Sequence, residues 1–230
     1  MSTSLALQAY EAIKKDILTC ELDPGGQIAQ AQLAERYSLG LTPVREALKR
    51  LENEGYVQSI PRFGYLITPI TASDVQELYE LRLVLETEAV RMAAGRASEA
   101  ALQALCEHAH FTYRYGDRES YAAFLEANLQ FHTQTALASG NRRLAELVRR
   151  TLGEMTRIFH LGLDLRDSAE EMREEHLLLC GALKARDPES AESILREQID
   201  RSQARVLERL SQPIDQPGLE PAALQPRRAF

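Results

Sequence analysis

Residues 33–68 read LAERYSLGLTPVREALKRLENEGYVQSIPRFGYLIT, and the reading of the whole chain turns on them. Val44, Leu48 and Leu51 recur at i, i+4 and i+7, the spacing of one buried helix face. Thr42-Pro43 carries start signals for that helix: a hydroxyl at the N-cap accepts an orphan amide, and a proline at the first helical position has no amide to lose. The helix runs to about Glu54 and Gly55 stops it. A shorter helix over Gln30 to Tyr37, buried through Leu33 and Ala34, precedes it, with Ser38 to Leu41 as the turn between the two. Tyr56 to Ile60, Pro61-Arg62-Phe63-Gly64 and Tyr65 to Thr68 then read as strand, tight loop and strand. In front stands a helix from Leu5 to Cys20, with Ala9, Ile13 and Ile17 on one face, ended by Pro24-Gly25-Gly26. Helix, helix, short turn, helix and hairpin make a winged helix-turn-helix over residues 1–70.

With Val44, Leu48 and Leu51 inward, Thr42, Arg45, Lys49 and Asn53 face out, and Glu46 and Arg50 are spaced to pair. A recognition helix presents its first turns to the major groove, where arginine reaches the acceptor edge of guanine and lysine neutralises phosphate. Arg62 at the wing tip is placed for a phosphate or the minor groove, and Gly64 lets the hairpin backbone come close. The expected DNA-binding set is Thr42, Arg45, Lys49, Arg50, Arg62 and Gly64. A solvated charged face explains Arg45 and Lys49 taken alone. The turn and the wing attached to them decide for double-stranded operator DNA.

From Asp74 to Leu210 the pattern is helical throughout, in six stretches near 74–95, 98–116, 119–138, 141–162, 167–186 and 188–210. Short breaks imply antiparallel packing, so residues 71–210 are expected to form an all-helical bundle. Four of the nine prolines fall in Ser211 to Phe230, which reads as a disordered tail. The fold class is therefore mainly α: a winged helix-turn-helix followed by a bundle of about six helices.

The net charge of −7 excludes a protein that coats any polyanion, but not one with a single small reading surface. Residues 1–70 hold seven Lys/Arg against eight Asp/Glu, so the negative excess lies elsewhere. Three scattered cysteines give no disulfide framework, and no membrane-spanning run or secretory leader is visible; a cytoplasmic protein is expected. No P-loop, dinucleotide fingerprint, nucleophile elbow or HExxH is present, and no catalytic residue is nominated. The competing reading is a metal-dependent helical-bundle enzyme with an accessory DNA-binding domain.

The string Leu33-Ala34-Glu35, Thr42-Pro43-Val44-Arg45-Glu46-Ala47-Leu48, Leu51, Glu54-Gly55 and Gly64 resembles the DNA-binding domain of the GntR family of bacterial repressors. Arg45 matches a DNA-contacting position of that family. Gly40-Leu41 stands where the family usually has Ser-Arg, which implies a different operator or fewer contacts. The second half is similar to the effector domain of the FadR branch, VanR-like subgroup. That likeness rests on Leu78-Tyr79-Glu80-Leu81-Arg82 with Leu85-Glu86, on Asn128-x-x-Phe131-His132 with Ser139-Gly140-Asn141, and on His176 followed by Leu183.

Periodicity alone marks part of this set. Arg82 lies on an apolar stripe between Leu78 and Leu85, where it needs Asp, Glu or a bound anion. Asn128 and His132 share one face, and His176 faces inward among Met172, Leu179 and Leu183. Arg82, Asn128, His132 and His176 are the expected site for a small carboxylate effector. The resemblance further implies one divalent, zinc-like ion on Asn128, His132, His176 and Gln198, with Asn128 where Asp is frequent and Gln198 where His is usual. The alternative is two hydrogen-bonded histidines lining a pocket without metal. A homodimer is expected, because paired half-sites call for paired reading heads.

Overall fold

The computed structural model describes residues 4–212, and the tail expected beyond Ser211 falls, from residue 213, outside them. Among the described residues are ten helices and three short strands. The N-terminal part comprises α1 (Leu5–Leu18), β1 (Gln27–Ile28), α2 (Gln30–Arg36), α3 (Leu41–Asn53), β2 (Val57–Ile60) and β3 (Gly64–Ile67). Ala9, Ile13, Ile17, Leu33, Val44, Leu48, Leu51, Val57 and Ile67 form its core. At the foot of α3, Glu54 gathers Tyr10 Oη at 2.8 Å, Lys14 Nζ at 2.7 Å and Arg50 Nε at 3.1 Å, tying α1 to α3.

Three local readings change. Gly40, not Thr42, is the N-cap of α3, and no side chain caps it. Pro43 therefore lies in the third helical position; every amide of the first turn lacks an intrahelical acceptor, so proline fits there as well as at the first. Arg50 pairs with Glu54 rather than Glu46 and lies over the Tyr10 ring, 3.6 Å from its centre. The wing also has a third strand: β1 pairs antiparallel with β3, Gln27 opposite Leu66 and Ile28 opposite Tyr65, giving the order β1-β3-β2. Gly64, at φ +92°, serves this pairing, since a Cβ there would lie 2.5 Å from the Ile28 carbonyl oxygen.

The second part holds α4 (Ala72–Arg96), α5 (Glu99–Glu107), α6 (Arg118–Ala138), α7 (Arg142–Glu154), α8 (Thr156–Leu163), α9 (Ala169–Lys184) and α10 (Pro188–Ser211). Side-chain caps start most of them: Thr71 with Asp74 on α4, Asp117 on α6, Asn141 on α7, Asp187 before Pro188 on α10. Among the described residues the bundle has seven helices, where about six were expected. The stretch read as 141–162 breaks at Met155, which keeps near-helical dihedrals (φ −79°, ψ −3°) and carries no glycine or proline signal of its own. The stretch read as 98–116 ends at Glu107, and the aromatic run after it packs instead of coiling: Tyr113 joins Tyr121, Phe124, Leu163 and Met172 in a small cluster, and its hydroxyl accepts from the Ser168 amide at 3.0 Å.

Candidate functional site

The exposed face of α3 and the wing beside it make the first candidate surface. Thr42, Arg45 and Lys49 are exposed on one side of α3, and neither Arg45 nor Lys49 enters an ion pair among the described residues. Glu52 accepts a hydrogen bond from the Ser59 amide at 3.0 Å and fixes the wing against this helix. Arg62, with φ +71°, and Phe63, 69 % exposed, form the wing tip. Leu41, which the sequence reading passed over as turn, is the first residue of α3 and 58 % exposed. With Gly40 offering no side-chain cap, the first amides of α3 are open to an anion such as a phosphate. Of the six residues expected to bind DNA, Thr42, Arg45 and Lys49 are exposed on α3 and Arg62 is exposed at the wing tip. Arg50 is occupied by Glu54 and Tyr10, and Gly64 supports the sheet.

A second assembly joins the two parts. Arg118 on α6 donates from Nη1 to the Cys20 carbonyl at 2.6 Å and from Nη2 to Asp164 at 2.9 Å. Arg157 on α8 donates to the Thr68 carbonyl at 2.6 Å. His160, one turn further along α8, is buried beside α1, facing Tyr10, Lys14 and Leu18. Burial, and after it the Arg118 charge, depress its pKa to about 4, so the ring is neutral at neutral pH. Desolvation likewise pushes the Cys20 thiol up to about 12. None of Arg118, Arg157 or His160 was marked by sequence, because contacts between distant elements leave no periodic trace.

The third candidate is a cavity of about 20 Å³ inside the bundle, where Arg82, Asn128, Gln198, Ser202 and Arg205 meet Leu125, Phe159, Gly162, Leu163, Met172 and Val206. Gly162 is needed for this closeness: a Cβ would lie 3.0 Å from Val206 Cγ2 on α10. Arg82 finds its counter-charge on its own helix, donating from Nε to Glu86 at 2.5 Å, and the other Glu86 oxygen stands 2.6 Å from His132 Nδ1. Burial alone would raise Glu86, but the charges of Arg82 and His132 outweigh it and hold the carboxyl well below the usual range. His176 is fully buried, its Nε2 within 3.0 Å of Asn128 Oδ1 and 3.1 Å of Gln198 Nε2. Desolvation first, and the His132 and Arg82 charges after it, keep that imidazole neutral. Arg82 and Asn128 thus reach the cavity wall, while His132 and His176 are not part of it. Glu86, Ser202 and Arg205 were missed. The buried stripe Leu195, Gln198, Ile199, Ser202, Arg205 and Val206 along α10 was the available signal for the last two.

Comparison with known proteins bears on both surfaces. The profile "Bacterial regulatory proteins, gntR family" matches residues 5–67, and the FCD domain profile matches residues 77–201. The chain belongs to the GntR family, in its FCD branch. The chain is 31 % identical to the uncharacterized HTH-type transcriptional regulator YdhC of Bacillus subtilis, over 82 % of this chain and 85 % of that one. It is 22 % identical to the transcriptional repressor RspR of Escherichia coli, over 84 % of each. The solved structure of E. coli McbR/YncC superposes with a TM-score of 0.63 at 26 % identity, covering 91 % of this chain and all of that one. The GntR family is one of transcription regulators, so this chain is a transcription regulator with a DNA-binding winged helix, and the enzyme reading falls. No helix among the described residues is long and apolar enough to cross a membrane.

The metal implied by the resemblance fits this regulator poorly. Its four prospective ligands are two imidazoles and two amides, none of them an anion, and the nearby carboxylate of Glu86 is committed to Arg82 and His132. The His176 nitrogen that would face an ion is closed off by Asn128 and Gln198. Among the described residues, no group of three or more His, Cys, Asp or Glu has the placement to hold a metal. Amide oxygens bind zinc-like ions weakly beside imidazole or carboxylate.

Proposed function

We propose that this GntR-family protein is a cytoplasmic, homodimeric repressor whose hold on operator DNA is set by a small organic carboxylate in the bundle cavity, without a tightly held divalent ion. Residues 1–70 read the DNA and residues 71–210 sense and dimerise. The carrying observation is the cavity itself: charged and amide side chains of three helices converge in an otherwise apolar core, and Phe159, Gly162 and Leu163 of its wall belong to the helix whose Arg157 and His160 meet the reading head. Repression is supported by the names of two relatives, the transcriptional repressors RspR and GlaR of Escherichia coli.

On the DNA, Arg45 takes a guanine edge, Thr42 and the open amides of α3 take a phosphate, and Lys49 and Arg62 neutralise the flanking backbone. Genomic fragments selected by the purified protein supply the operator. Fluorescence anisotropy on that fragment, with and without a panel of small carboxylates, tests the reading: release by at least one acid supports it, and operator binding indifferent to all of them overturns the sensing half. Elemental analysis of untagged protein checks the metal statement, with less than a stoichiometric divalent ion expected.

A further inference from the structure

Two guanidinium groups border the cavity, and among the described residues only one is hydrogen-bonded. Arg82 has Glu86. Arg205, on α10, is 5 % exposed, and both its Nη1 and Nη2 are buried without a hydrogen-bond partner among the described residues. Glu171 and Glu175 lie near it, but neither forms a hydrogen bond to it among the described residues. Glu171 Oε1 stands 3.6 Å from Nη1, beyond hydrogen-bond length, with Arg166 on its other oxygen at 2.8 Å. Glu175 has Arg201 Nε at 2.8 Å. A buried guanidinium whose two terminal nitrogens lack hydrogen bonds costs free energy in the empty protein, and a planar carboxylate is the group that matches its fork.

The same face of α10 carries the complement. Gln198, Ser202 and Arg205 follow one another at four and three residues along one side of the helix, and all three line the same cavity. Gln198 uses its amide nitrogen on His176 and leaves Oε1 buried and unpartnered. Ser202 is tied to the Tyr79 hydroxyl at 2.7 Å and leaves the middle of the run occupied. The two free functions are therefore a donor fork at one end and an acceptor at the other. We propose that Arg205 is the anion-binding residue of this site, and that the effector is a short hydroxycarboxylate whose carboxylate lies on Arg205 and whose hydroxyl donates to Gln198. This rests on the effector reading given above and shifts its anion from Arg82 to Arg205. Closed to about 20 Å³, the cavity holds roughly a water molecule. Ligand entry must push back an apolar wall, of which the unbranched Met172 is the most adaptable member.

The test is calorimetry on the full chain with lactate and malate as probes, propionate and succinate as their counterparts lacking the hydroxyl, and Arg205→Met beside the wild type. Tighter binding of a hydroxy acid than of its counterpart is expected, with a loss of about tenfold or more in Arg205→Met. The same variant is expected to unfold in urea at no lower a concentration than the wild type, because methionine removes a buried guanidinium whose terminal nitrogens make no hydrogen bond. Hydroxy-acid binding that survives Arg205→Met overturns the assignment while leaving the sensing function standing. So does a clear loss of stability, which would make Arg205 a structural partner of Glu171 and Glu175. Wild-type protein that holds operator but binds none of the four probes, nor releases DNA to any of them, overturns both.

Discussion

The reading head and the sensor cavity use the same residue type in opposite ways. On α3 and the wing, Arg45, Lys49 and Arg62 stand exposed, without ion pairs among the described residues, and their charge is available to whatever approaches. Inside the bundle, Arg82 is locked between helices by a carboxylate four residues away, and that carboxylate is shared with His132. Water satisfies an exposed cation at little cost, so the reading surface can wait for phosphate. A buried cation must be answered within the fold or by a ligand. The contrast teaches that where a charge is kept decides whether removing it changes affinity or stability.

The sharpest way to break this contrast is to remove one carboxylate from each side. Glu86→Ala is expected to cost about 3–5 kcal/mol of unfolding free energy, since Arg82 is left buried and unpaired. Glu54→Gln, at the exposed foot of α3, is expected to cost about 1 kcal/mol or less. Urea denaturation of both variants compares them, and equal losses would dissolve the distinction.

Acid separates the two regions next. His160 is neutral in the fold, with its pKa depressed to about 4 from an ordinary value of 6.5. Its contribution is present in full above pH 6.5 and is lost as pH falls through that window toward 4, because the unfolded chain then binds the proton more readily. The linkage amounts to about 3 kcal/mol at most. His160→Asn should flatten the decline in stability between pH 7 and pH 4.5 relative to the wild type, and an unchanged slope would remove His160 as its source.

On the exposed side, Arg45→Ala should weaken operator binding by about 1–3 kcal/mol and relax the base preference at one position, with the unfolding midpoint unmoved. Lys49→Ala is the mildest. It should weaken all sequences alike and lower the slope of log affinity against log salt by about one. Titrations at several salt concentrations tell the two apart.

Much of this was legible in the chain because helices announce themselves through repeated spacing and capped starts. Val44, Leu48 and Leu51 located the buried face of α3, and the stretches read as starting near 119, 141 and 188 begin at Arg118, Arg142 and Pro188. Arg82, Asn128, His132 and His176 were recognisable as inward from their apolar neighbours. What stayed hidden lacked a local cause. β1 is two residues long and exists only because β3 pairs with it. The break at Met155 leaves no residue-type signature. Glu86 was within reach, one turn after Arg82, yet only packing shows that it turns to Arg82 and His132 rather than to solvent. Arg205 resembles any surface arginine until the neighbours of α10 close around it.

Helix α8 is eight residues long and faces both ways, with Phe159, Gly162 and Leu163 on the cavity and Arg157 and His160 on the winged helix. Under the sensing function proposed for this protein, that short piece of chain joins two equilibria into a thermodynamic cycle. Whatever factor the effector imposes on the operator constant, operator DNA must impose on the effector constant, for the cycle has to close. The regulator seated on its promoter and the regulator free in solution would then sense different concentrations of the same metabolite, and the concentration at which the gene responds would be a property of the DNA site as much as of the protein.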